Sequence, residues 1–152
     1  MPVRNAAGKF MNSSPQDLPA TEVMIDIPFY DVDALGVAWH GNYAKYLEIA
    51  RAALMETISY SYREMRESGY AWPITELKLR YIQPAQLGQK ICVKAMMREN
   101  ELRIVIDYLI TDAETGKRLS KGRTIQVPVD LETNEMLFGS PPILYQKLGI
   151  KK

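Results

Sequence analysis

Between Tyr43 and Met65 the apolar residues Tyr43, Tyr46, Leu47, Ala50, Ala53, Leu54, Ile58, Tyr62 and Met65 recur every three or four positions, while Lys45, Glu48, Arg51, Glu56 and Arg63 fall largely on the other side. That is the period of an α-helix with one wide buried face. It predicts an amphipathic helix of about 25 residues, roughly 37 Å long at 1.5 Å per residue. Gly69 stands where a C-cap glycine is expected. Most of the chain beyond Gly69 reads as strand: Trp72 to Ile82, Lys90 to Arg98, Leu102 to Thr111, Arg118 to Val129 and a short apolar piece, Met136 to Phe138, all separated by turn-forming residues. Ahead of the helix, Val23, Ile25, Ile27 and Phe29 alternate with Glu22, Met24, Asp26 and Pro28, so Thr21 to Tyr30 suits a strand as well. Pro141 onward can start a last short helix, since proline is tolerated in a first turn. A long helix with so broad an apolar face needs an equally broad partner, and only a sheet is available. The expected class is therefore α+β, with one long central helix wrapped by a five- or six-stranded, mostly antiparallel sheet.

A chain of 152 residues suits one domain. Residues 1–20 are rich in Pro, Ser, Asn and Gly and read as a flexible N-terminal tail, leaving 21–152 as the folded domain. The tail lacks the apolar middle of a secretory signal, and no stretch approaches the roughly 20 apolar residues of a membrane span. The formal net charge of +1 supplies no bulk field for nucleic acid or an anionic membrane, so an anionic ligand would have to be held by local basic groups. Cys92, the single cysteine, lies in an apolar strand-like run and reads as a buried reduced thiol, which fits the cytoplasm.

The chemistry concentrates where the first strand gives way to the helix. There Asp31 and Asp33 stand one residue apart, followed by Gly36 and by His40, the only histidine. The first turn of a helix leaves N–H groups unpaired and carries positive partial charge. A short turn thus brings a carboxylate and free amides together. Aspartates also form turns by bonding their own backbone two residues on, and both readings apply to this pair. A metal site from Asp31, Asp33 and His40 would lack a recognised ligand spacing and a second histidine, so no metal is expected.

The ungapped run Asp31-Val-Asp33-Ala-Leu-Gly36-Val-Ala-Trp39-His40-Gly-Asn-Tyr43-Ala-Lys-Tyr46-Leu-Glu48-Ile-Ala-Arg51 resembles the signature of hotdog-fold acyl-CoA thioesterases, in particular the 4-hydroxybenzoyl-CoA thioesterase-like branch. The resemblance spans Thr21 to about Phe138. It implies the hotdog fold and hydrolysis of an acyl-CoA thioester to a free carboxylic acid and coenzyme A. It also implies homo-oligomers, dimers in which two sheets join and often tetramers of these, with active sites between subunits. By position in the motif, Asp33 is the catalytic aspartate and the backbone N–H of His40 polarises the thioester carbonyl. Asp31 is left as a turn former.

That chemistry suits the residues. A thioester expels a thiolate from a thiol of pKa about 8.5 and needs little acid assistance. It does need an oxygen nucleophile, or a base to make one, and donors for the developing oxyanion. Gly36 would let the backbone bend tightly beside the acyl group, Trp39, Gly41 and Tyr43 would line the substrate site, and Tyr46 would be core or pocket wall. Arg98, Lys121 and Arg123 are candidates to rim the site and meet the phosphates of coenzyme A. Coenzyme A would be substrate and not a resident cofactor, as no glycine-rich phosphate loop or dinucleotide fingerprint is present. Glu48 and Arg51, three apart on the helix, read as an exposed ion pair, while the resemblance implies a structural role near the dimer contact; Glu48 is the second choice for acid–base work. Two alternatives stay open. A non-catalytic acyl-binding hotdog protein could dispense with the acid at Asp33. A hotdog dehydratase would need a histidine base, and His40 stands at the thioesterase position instead.

Overall fold

A computed structural model describes residues 18–150 together with the backbone of Val3–Arg4 (β1) and Phe10–Met11 (β2), which pair antiparallel. The reading of 1–20 as a flexible tail therefore falls mostly outside the described residues, although Ala20 already belongs to a strand. That strand, β3 (Ala20–Asp26), precedes α1 (Tyr43–Thr57), α2 (Tyr62–Glu67) and β4 (Tyr70–Ala71). Then come β5 (Ile74–Tyr81), β6 (Lys90–Glu99), β7 (Ile104–Asp112), β8 (Arg118–Gln126), β9 (Val129–Asp130) and α3 (Pro142–Leu148). Five strands form one sheet in the order β3-β6-β7-β8-β5, with every neighbouring pair antiparallel. This is the expected α+β hotdog arrangement, a five-stranded antiparallel sheet packed on a central helix.

Alternation decides which side of the sheet meets the helix. Ile91, Val93, Ala95 and Met97 on β6 and Ile104, Ile106, Tyr108 and Ile110 on β7 are buried, as are Tyr43, Tyr46, Leu47, Ala50 and Leu54 on α1. Each such Ile, Leu, Val or Met side chain contributes roughly 1.5–3 kcal/mol on burial. Gly122 on β8 marks a close approach, because a Cβ there would lie 2.8 Å from Leu47 Cδ1. The glycine lets α1 rest directly on the sheet.

The single helix of about 25 residues expected from periodicity is in fact two. The 15-residue α1 stops at Thr57, and Ser59 adopts a left-handed φ of 56°. Ser61 then opens α2 with a capping box, accepting from the N–H of Glu64 while the Glu64 carboxylate accepts from the N–H of Ser61. The break turns Tyr60 fully into the core, where its hydroxyl meets Ser68 and the Trp72 indole N–H. Ile58 and Met65 pack against the same core, so the apolar spacing runs on through the break. Gly69, at φ 91°, does end a helix, but the second one. Two strands also stop well before their expected ends. Pro28 has no N–H for a ladder and leads into a 3-10 turn at Phe29–Asp31. After Gln126 the chain leaves the main sheet, and Val129–Asp130 pairs with β4 while Val129 bridges to Met136.

Candidate functional site

From Asp31 to Asn42 the chain makes a small closed turn. Asp33 N–H donates to the Val37 carbonyl at 2.9 Å and Gly36 N–H to the Asp33 carbonyl at 3.0 Å. Asp33 Oδ1 accepts from Leu35 N–H at 2.8 Å, the two-residue bond that makes aspartate a turn former. Gly36 takes φ 77°, which a side chain would resist. Ala38 N–H donates to the Ala85 carbonyl at 2.7 Å, which ties the turn to the β5–β6 connection. The chain then coils at His40–Asn42 and runs straight into α1.

The two aspartates have opposite fates. Asp31 is 3% exposed, and its oxygens accept from Lys45 Nζ at 2.6 Å and the Tyr46 hydroxyl at 2.7 Å. Burial pushes its carboxyl pKa up, but the Lys45 and Tyr46 hydrogen bonds and the Lys45 charge outweigh this and hold it below the usual range. Burial and the same Asp31 raise the Tyr46 phenol well above its ordinary value. The Asp31 carbonyl also accepts from Trp39 N–H and Asn42 Nδ2. Asp31 is thus a staple between the turn and the helix. Asp33 is exposed, and among the described residues no donor meets its Oδ2.

Asp33 lines a cavity of about 260 Å³ with His40, Tyr43 and Tyr81, continued by Ile82, Gln83 and Pro84 and closed at the turn by Val37 and Ala38. The Tyr81 ring stands edge-on to Tyr43 at 5.0 Å, and its hydroxyl donates to the His40 carbonyl at 2.9 Å. The Tyr43 hydroxyl accepts from Ala85 N–H at 3.0 Å. Among the described residues the N–H groups of His40 and Gly41 meet no acceptor. They are the unpaired donors that a helix start leaves. The His40 ring packs 5.0 Å from the Trp39 ring, and a Cβ on Gly41 would run into the Trp39 indole. Glycine there lets the indole fold over the helix start.

The structure thus brings Asp33, His40 and Tyr43 into one pocket, with Gly36, Trp39 and Gly41 in the turn that forms it. Tyr46 belongs to the core. Glu48 is not free for acid–base work, since Arg51 takes Oε2, with Nε at 3.0 Å, and the Tyr62 hydroxyl takes Oε1. Arg98, Lys121 and Arg123 are a correction to the expected rim. They lie along a separate cavity of about 660 Å³. Lys121 and Arg123 alternate with the helix-facing Ser120, Gly122 and Thr124 and so project from the opposite face of the sheet. Arg98 and Arg123 are bound to Asp107 at 3.2 and 2.6 Å. The Arg123 hydrogen bond is the main reason the Asp107 carboxyl stays below its usual range despite burial. Tyr81, Ile82, Gln83 and Pro84 were not legible as pocket residues. They reach Asp33 only through tertiary pairing, in which the N–H groups of Ile82 and Gln83 both donate to the Leu119 carbonyl.

A family model described as the Thioesterase-like superfamily matches residues 27–148. The chain is similar to "Putative esterase sll0410" of Synechocystis sp., 29% identical over 128 residues, which span 84% of this chain and 77% of that one. It is 29% identical over 110 residues to the acyl-acyl carrier protein thioesterase ATL3 of Arabidopsis thaliana, spanning 72% of this chain and 58% of that one. Among solved structures, the DHNA-CoA thioesterase of Staphylococcus aureus superposes with a TM-score of 0.74 at 26% identity, covering 86% of this chain and 89% of that one.

Proposed function

The chain belongs to the thioesterase-like superfamily, and from that premise we propose that it hydrolyses an acyl-coenzyme A thioester to a free acid and coenzyme A, using Asp33 and the N–H of His40. One observation carries the assignment of roles: an exposed carboxylate and a helix-start peptide group line the same small pocket. Asp33 supplies oxygen, by attacking the thioester carbonyl or by taking a proton from water that does so. The N–H groups of His40 and Gly41 receive the oxyanion, and the thiolate leaves with little protonation. Coenzyme A comes and goes with the substrate, and the reaction calls for no resident cofactor. The likeness to ATL3, named for acyl-acyl carrier protein, adds a protein-borne thioester to the substrates worth testing. Free-thiol release against short, long, branched and aromatic acyl-CoAs tests the reading. Activity on at least one supports it, and inactivity on all of them defeats it.

The His40 side chain has a lining role in this scheme, since its ring stacks beside Trp39 while its backbone does the chemistry. His40→Ala and His40→Tyr both keep the N–H. Each should retain turnover within about tenfold of the parent, at most roughly 1.4 kcal/mol in barrier. A thousandfold loss in a folded alanine variant would make the imidazole a catalytic acid or base.

The working unit is a dimer, or a tetramer made of two dimers. Among the described residues β5 pairs only with β8, and Ile74, Leu77 and Tyr81 stay exposed along it. Joining two β5 edges would cover that liability. Because Tyr81 to Pro84 continue β5 into the pocket, the partner would also close the acyl site. Light scattering should give at least twice the 17.3 kDa of one chain. A monomer at micromolar concentration would end the idea. No helix among the described residues is long and apolar enough to cross a membrane. Burial raises the Cys92 thiol pKa, and an inert thiol suits a reducing compartment such as the cytoplasm.

A further inference from the structure

The sheet face turned away from α1 holds a cavity of about 660 Å³, spread across β5, β6, β7 and β8. Arg98 and Arg123 there are answered by Asp107, but Lys78, Arg80, Arg118 and Lys121 meet no acid among the described residues. In a chain of net charge +1 this is a local accumulation, with the opposite sign carried elsewhere. Met96 and Leu109, both half-buried, form an apolar floor. Register ties the face to the proposed active site. Arg80 pairs with Lys121, the next pair is Tyr81 with Ser120, and Ile82 and Gln83 donate to Leu119 beside Arg118. The cationic face ends where the Asp33 pocket begins.

A compact phosphate site converges backbone N–H groups on the ligand. Here the backbone groups are committed to the strand ladder, and the cations are long side chains spaced over neighbouring strands around an apolar strip. Such a surface matches an acidic protein surface with spaced carboxylates and an apolar centre, held by complementary charge. We propose that this face docks an acidic carrier protein, which delivers its acyl thioester on a pantetheine arm around the end of β5 into the Asp33 pocket. The proposal rests on the thioesterase reading and adds to it the partner and its landing surface.

The test compares the parent with the double variant Arg80→Glu/Arg118→Glu on hexanoyl-loaded acyl carrier protein, hexanoyl-CoA and hexanoyl-pantetheine. Expected is a loss of at least about 100-fold in kcat/KM on the carrier protein alone, steeply salt-dependent in the parent, with hexanoyl-pantetheine turnover unchanged. A double variant Arg80→Gln/Arg118→Gln, which only neutralises the charge, should lose less and guards against misfolding of the first. No loss on the carrier protein overturns the proposal. So does an equal loss on hexanoyl-CoA relative to hexanoyl-pantetheine, which would give the face to the nucleotide phosphates. A parent that turns over none of the three defeats the thioesterase reading instead. Titration with unloaded carrier protein then reads docking on its own: binding weakened at least about 100-fold by the glutamates supports it. Tighter binding of a DNA duplex than of carrier protein refutes it.

Discussion

Asparagine at position 33 is expected to cut turnover at least about 100-fold while leaving fold and oligomer intact, the loss expected of a missing nucleophile or general base. The geometry makes this substitution unusually clean. An asparagine carbonyl can keep the Oδ1 bond to Leu35 N–H that shapes the turn. The change falls on Oδ2, which has no protein donor among the described residues and becomes an amide that neither attacks nor accepts a proton. Thermal unfolding should therefore be unaltered, and kcat should fall together with kcat/KM. Near-parental thiol release would remove Asp33 from the chemistry. Glu48 could not simply replace it, since Arg51 and Tyr62 already occupy both its oxygens.

Much of this fold was readable because its signals are local. The runs that become β6 and β7 are bounded by turn-forming residues and predict two strands, and their observed limits, Lys90–Glu99 and Ile104–Asp112, differ little from the expected ones. The entry to α1 was readable as well, since a glycine turn ahead of a strong apolar period leaves few choices. The break after Thr57 was hidden by that same period, which continues through Ile58 and Met65, although Ser61-x-x-Glu64 is a capping signature in plain view. The site was legible on one wall only. Asp33 and His40 sit within one turn, whereas Tyr81 to Pro84 arrive through β5–β8 pairing and have no local mark. Nor does local sequence separate Asp31 from Asp33. Two identical side chains, one residue apart, become staple and free acid because Lys45 and Tyr46, a full turn into the helix, reach only the first. The basic strands show the remaining limit. Lys121 and Arg123 are readable as lying on one face of β8, but which face depends on Gly122 lying under Leu47.

Asp31→Ala should do the opposite of Asp33→Asn, lowering stability and sparing the chemistry. Removing the carboxylate takes the acceptor from the Tyr46 hydroxyl, whose side chain is fully buried, and from the Lys45 ammonium, which is half exposed and can return to water. One stranded buried donor and one lost charged hydrogen bond together cost about 2–3 kcal/mol. For a chain of this size that lowers Tm by roughly 4–12 °C. The effect has a pH signature. The folded-state pKa of Asp31 is depressed, so its contribution is fully present above the unfolded value near 4 and is lost as pH falls through the folded one. The Tm difference between parent and variant should accordingly be constant around neutrality and shrink below about pH 4. Asp107 and Asp112 are depressed too and remain in the variant, so both proteins lose stability in acid and only their difference isolates Asp31. Turnover at 25 °C should stay within about tenfold, because the Asp31 carbonyl that holds Trp39 N–H and Asn42 survives the substitution. A Tm difference that persists unchanged at pH 3 would mean the carboxylate charge is not what staples the turn, and a loss of turnover matching that of Asp33→Asn would make the two aspartates a working pair.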